Sequence, residues 1–104
     1  MAETSTLLEK LNGLVARFEE VSTLIMDPSV IADQQRYVRL TKEYKELEEL
    51  MSARREYADL LSNLAESKHL LMTEDDAEMK DMAREEVAAC ERRIPELEES
   101  IKLL

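Results

Sequence analysis

Glu74, Asp75, Asp76 and Glu78 form the densest group of possible metal ligands in the sequence. Carboxylates this close could hold a divalent cation, but a calcium loop sets its ligands at alternate positions around a central glycine, and none stands here. The same cluster suits the start of a helix, where negative side chains meet the positive end of the macrodipole. His69 has no second His or Cys at ligand spacing, which favours a solvated residue. Cys90 could act as a nucleophile only as a thiolate. Its place on an apolar stripe beside Glu91 favours a small buried hydrophobe instead. Tyr37 and Tyr44 stand among Arg36, Arg39, Lys42, Glu43, Lys45 and Glu46. They could stack on a ligand or a base, but their heptad positions beside Leu40 and Leu47 favour packing as core with the hydroxyl reaching the edge. No Ser-His-Asp set, glycine-rich phosphate loop or inward carboxylate pair is visible, so these residues predict no metal, no cofactor and no enzyme.

The elements that carry these residues are helical. Leu7, Leu11, Leu14, Phe18, Val21 and Ile25 recur at spacings of four and three, which predicts an amphipathic helix over about 5–26. Thr4 or Ser5 is its expected cap. Gly13 lies inside that period, at an expected cost of about 1 kcal/mol without a break. Asp27-Pro28-Ser29 ends the helix, because proline disfavours helical geometry at the residue before it. A second helix is expected over 31–72. Tyr37, Leu40, Tyr44, Leu47, Met51, Ala58, Leu61, Ala65 and Met72 lie on one stripe, and Leu50, Tyr57, Leu64 and Leu71 on a parallel one. Thr73, with Asp76 three residues on, predicts the cap of a third helix over 76–104. Its stripe runs Met79, Ala83, Val87, Cys90, Ile94, Leu97, Ile101 and Leu104. Pro95 predicts a kink or a restart there. Short connections make neighbouring helices antiparallel. The expected fold is therefore all-α, three antiparallel helices with the long central one paired as helical hairpins in a coiled-coil-like bundle.

Composition limits the function classes. The chain has 104 residues, 14 Lys and Arg against 24 Asp and Glu, a net charge of −10 and no Trp. One domain fits that length. A surface this acidic repels nucleic acid overall, which leaves protein as the expected partner. One cysteine fits a reducing compartment. The start, MAETSTLLEK, has no basic segment followed by an apolar one, and no apolar run approaches the ~20 residues that span a bilayer. A cytoplasmic protein without membrane contact is expected.

The stretch IADQQRYVRLTKEYKELEEL, residues 31–50, closely resembles the start of the second helix in the N-terminal domain of bacterial-type peptide chain release factors. The resemblance falls on Ile31, Ala32, Asp33 and Gln34, on Arg36 with Tyr37, on Leu40, on Glu43 with Tyr44, and on Leu47. DAEMKDMAREEV is similar to the third helix of that domain. The absence of Trp after Asp27-Pro28 makes the chain look more like the release factor 1 branch than the release factor 2 branch. The resemblance implies a translation termination factor that reads stop codons and promotes hydrolysis of peptidyl-tRNA. The domain would position that factor on the ribosome, near the stalk base of the large subunit, and the ten residues named would be structural. The family's Gly-Gly-Gln motif and its codon-reading residues lie in other domains, and Gly13 is the only glycine here. The expectation is thus an isolated N-terminal domain, 1–104, without the catalytic and codon-reading domains. The residues alone equally allow a free-standing acidic coiled-coil adaptor or chaperone arm. Its oligomeric state is open.

Overall fold

The structure is a computed structural model and describes residues 2–103, with side-chain surroundings for 6–102. Among the described residues five helices follow in order: α1 (Ala2–Asn12), α2 (Val15–Leu24), α3 (Pro28–Ala32), α4 (Gln34–Thr73) and α5 (Ala77–Leu103). No strand occurs among the described residues, and the class is all-α. The chain divides into two compact units at Arg54–Arg55.

In the first unit, the single helix expected over 5–26 is divided. Helix α1 begins at Ala2, ahead of the cap expected at Thr4 or Ser5, whose side chains lie outside the described residues. It ends at Asn12, and a tight turn at Gly13 and Leu14 leads into α2. Gly13 N–H still donates to the Glu9 carbonyl at 3.0 Å, but Leu14 N–H donates to Leu11, one residue nearer than an α-helix requires. Gly13 has no positive φ. The break therefore reflects low helix propensity rather than a conformation reserved for glycine.

Asp27 is held extended, as expected before a proline. Its carboxylate accepts from Ser29 N–H at 2.9 Å and from the Ser29 hydroxyl at 2.8 Å. One tripeptide thus ends α2 and caps α3, with Pro28 in the first turn where a missing N–H costs nothing. These bonds also hold the Asp27 carboxyl below its usual range.

Helix α4 runs for 40 residues, which at 1.5 Å per residue is about 60 Å. In the first unit it pairs antiparallel with the helices before it. Arg54 reaches Asn12 and Arg17 reaches Glu43, so contacts move down α4 as they move up the earlier segments. Val21, Val30, Leu40 and Leu47 form the buried cluster, with Phe18, Tyr37 and Tyr44 packed half-buried against it.

The second unit is a hairpin of the later part of α4 and of α5. Tyr57 is its fully buried anchor, and Ala83, Cys90, Ile94, Leu97 and Ile101 line α5 inside. Four features differ from the sequence expectation, the first being Met79, expected on the inner stripe of α5 but 41% exposed. Thr73 is not the cap of α5: it is the last residue of α4, and its hydroxyl donates back to the His69 carbonyl. Asp76 caps α5 instead, accepting from Glu78 N–H at 2.8 Å. Two positions of the first α4 stripe lie outside the seam, Met72 being 86% exposed and Ala65 also exposed, while Leu64 and Leu71 of the parallel stripe are half-buried. Finally, α5 passes through Pro95 without a restart. Leu104, expected on the inner stripe, lies outside the described residues.

Candidate interaction surface on the first part of the long helix

The ten residues singled out by the sequence begin at the junction of α3 and α4. Ile31 is 51% exposed and Ala32 closes α3 on the surface. Asp33 opens α4. Its side chain accepts from Arg36 N–H at 3.2 Å and its carbonyl from Tyr37 N–H at 2.9 Å. A short polar side chain there satisfies amides that the first helical turn leaves free. Gln34 and Arg36 face solvent.

From Tyr37 onward the helix turns inward every three or four residues. Leu40 and Leu47 are buried. Tyr44 stacks on Phe18 with ring centroids 5.4 Å apart and planes 20° from parallel. The tyrosines are thus engaged in packing, which favours the core alternative over a stacking platform. The structure brings together Tyr37, Leu40, Glu43, Tyr44 and Leu47 on the seam with α2. It leaves Ile31, Ala32, Gln34 and Arg36 outside.

Glu43 completes a contact that spacing in sequence could not reveal. Arg17 Nε and one terminal nitrogen donate to its two carboxylate oxygens, each at 2.7 Å. The same guanidinium reaches Glu20 at 3.0 Å. The parallel bonds match the fork of arginine to the plane of a carboxylate. They hold Glu43 below the usual carboxylate range against a smaller opposing effect of burial, and they push Arg17 up. In the second unit Arg93 grips Glu56 in the same way, at 2.7 and 3.0 Å, and Glu56 is lowered for the same reason.

A carboxyl lowered by folding stabilises the folded state above its unfolded pKa, near 4.5, and that contribution disappears as pH falls through the folded value. Glu43→Gln should therefore lower the melting temperature by a few degrees at pH 7 and by less at pH 3. The effect is small because both partners are half-exposed to screening solvent. Thermal melts at the two pH values check it, and a loss independent of pH would mean the charge pair is not the cause.

A cleft of about 350 Å³ opens beside this pair. Arg17, Glu20 and Leu24 of α2 line one side, and Arg36, Arg39, Leu40 and Glu43 of α4 the other. A shallower depression of about 470 Å³ lies against Gln34, Gln35, Val38 and Arg39. The acidic group at 74–78 works within the turn: Glu74 accepts from Asp75 N–H and Asp76 N–H, and Asp76 caps α5. His69 is exposed. Cys90 is buried, its thiol raised first by that burial and then by a bond to Glu86. Among the described residues no helix is long and apolar enough to cross a membrane.

The family model of the PCRF domain matches residues 14–104. Peptide chain release factor 1 of Bacteroides thetaiotaomicron is 62% identical over 104 residues, all of this chain and 28% of that protein. The corresponding protein of Bacteroides fragilis is 64% identical over the same coverage. That of Flavobacterium psychrophilum is 43% identical over 98 residues, 94% of this chain and 28% of the relative. No solved structure matches. The similarity to release factor 1 read from the stretch after Asp27-Pro28 is thus shown, while the expectation of a non-enzyme is overturned. The chain spans about 28% of the length of these release factors, so the lack of catalytic residues within it does not class the protein as a non-enzyme.

Proposed function

The chain belongs to the PCRF domain family, and from that premise we propose that it is the N-terminal helical domain, 1–104, of a translation termination factor. That factor recognises stop codons and promotes hydrolysis of peptidyl-tRNA on the ribosome, in the cytoplasm. This domain positions it through contacts near the stalk base of the large subunit. The observation that carries the reading is the identity with release factor 1 over the whole chain. A positioning role is supported by the build of the first unit. Asp33 fixes where α4 starts, while Leu40, Tyr44 and Leu47 lock it on α2. Surface groups on α4 are therefore held in one register. Of the ten residues from Ile31 to Leu47, Asp33, Tyr37, Leu40, Glu43, Tyr44 and Leu47 serve that structure rather than any chemistry, while Ile31, Ala32, Gln34 and Arg36 lie on its surface.

The test uses the full-length factor with and without residues 1–104. Peptide release from ribosomes halted at a stop codon is followed over a range of factor concentrations. A positioning contact worth about 1.4 kcal/mol shifts the half-maximal concentration about tenfold, and the maximal rate should change much less. Superimposable curves would remove the positioning role. Complete loss of release at saturation would also overturn it, since positioning alone can be restored by concentration.

A further inference from the structure

We propose that the cleft between α2 and α4 binds an acidic peptide segment of a partner protein, with Arg36 and Arg39 as its carboxylate-binding residues and Leu24 as its apolar contact. Three arginines line this cleft in a chain of net charge −10. Arg17 is satisfied by Glu43 and Glu20. Among the described residues no hydrogen bond or close ion pair engages the guanidiniums of Arg36 and Arg39, although Arg36 lies within charge range of Asp27.

Their mutual placement carries a repulsion, opposed by the nearby carboxylates of Asp27 and Asp33. At a spacing of three they are neighbours on one helix face, where like charges repel. Both lie near the N-terminal end of α4, whose first turn has no acidic residue and whose positive end is met by the Asp33 side chain that accepts from Arg36 N–H. An oxyanion between the two guanidiniums relieves their repulsion. Arginine adds geometric selectivity, because its planar fork binds a carboxylate through two parallel bonds.

The rest of the cleft separates peptide from nucleic acid. Glu20 and Glu43 share its walls, and the whole chain is strongly acidic. A polyphosphate backbone entering the cleft would set further negative charge against these carboxylates. A peptide can place one or two carboxylates at the arginines and an aliphatic side chain over half-buried Leu24. The inference rests on the cleft and holds whether or not the domain positions a release factor.

The experiment is an amide chemical-shift titration of the 104-residue chain with the synthetic peptide acetyl-Ser-Asp-Glu-Leu-Asp-Glu-Leu-amide. Parallel arms use the same peptide with Asn and Gln in place of Asp and Glu, and a uridine oligonucleotide. Saturable shifts at Leu24, Arg36 and Arg39 with the acidic peptide alone are expected. The double variant Arg36→Gln, Arg39→Gln should bind at least about tenfold more weakly, a loss of about 1.4 kcal/mol. Arg84→Gln, on α5, should bind as the parent does. Far-UV circular dichroism melts of both variants confirm that these exposed positions leave the fold intact. No shifts, equal binding of the neutral peptide, or undiminished binding by the double variant overturns the proposal. Tighter binding of the oligonucleotide at the same arginines overturns it in favour of RNA.

Discussion

Tyr57→Ala is expected to cost about 3–5 kcal/mol, the range for deleting a large buried aromatic side chain. Tyr57 is 0% exposed and is the largest fully buried side chain among the described residues. Its removal leaves a cavity on the seam of α4 and α5. A domain of this size has only about 5–15 kcal/mol of stability in total, so the loss is a large fraction of it. Tyr57→Phe separates packing from polarity. It keeps the ring and removes the hydroxyl that donates to Glu98 at 2.7 Å, at an expected cost of about 1 kcal/mol because half-exposed Glu98 can turn to water. Urea denaturation followed at 222 nm measures both. Equal midpoints for the two variants would show that the ring is not the anchor of the hairpin.

Pro95→Ala should have the second largest effect, in the opposite direction. Helix α5 runs from Ala77 to Leu103 with Pro95 in its interior, and the residue faces solvent. A proline there lacks the N–H that the Glu91 carbonyl requires, and its ring crowds that same carbonyl. Proline inside a helix costs on the order of 3 kcal/mol relative to alanine. Ile94 and Leu97 beside it are buried, so the seam limits how far the helix can relax, and only part of that cost is expected back. A net gain of about 1–2 kcal/mol raises the melting temperature by roughly 4–15 °C. An unchanged or lower melting temperature would mean that Ile94 and Leu97 pack well only around the proline.

The periodic features of the fold were legible in the sequence because burial imposes a repeat on residue type. Ala83, Cys90, Ile94, Leu97 and Ile101 follow the helical period, and all are buried. Where local chemistry competes with the period, sequence was a poorer guide. The apolar repeat passes through Gly13, yet two poor helix formers in succession, Asn12 and Gly13, are enough to divide the helix. Thr73 and Asp76 are both good caps, and only the path of the turn decides between them. Met72 fits the α4 stripe by spacing but lies outside the packed seam. The cleft was not legible at all. It depends on Arg17 meeting Glu43 across 26 residues of sequence, which leaves Arg36 and Arg39 as the arginines of the cleft without a hydrogen-bonded carboxylate, and no count of charges along the chain reveals which pairs form.

The single thiol of the chain is 1% exposed and held protonated by its surroundings. A thiol-specific reagent therefore cannot reach it in the closed hairpin and reacts only during excursions that part α5 from α4. When reclosing outruns modification, the labelling rate at Cys90 is the rate of the free thiol multiplied by the fraction of time spent open. The domain thus carries a native clock for the opening of its second unit, readable without introducing a probe.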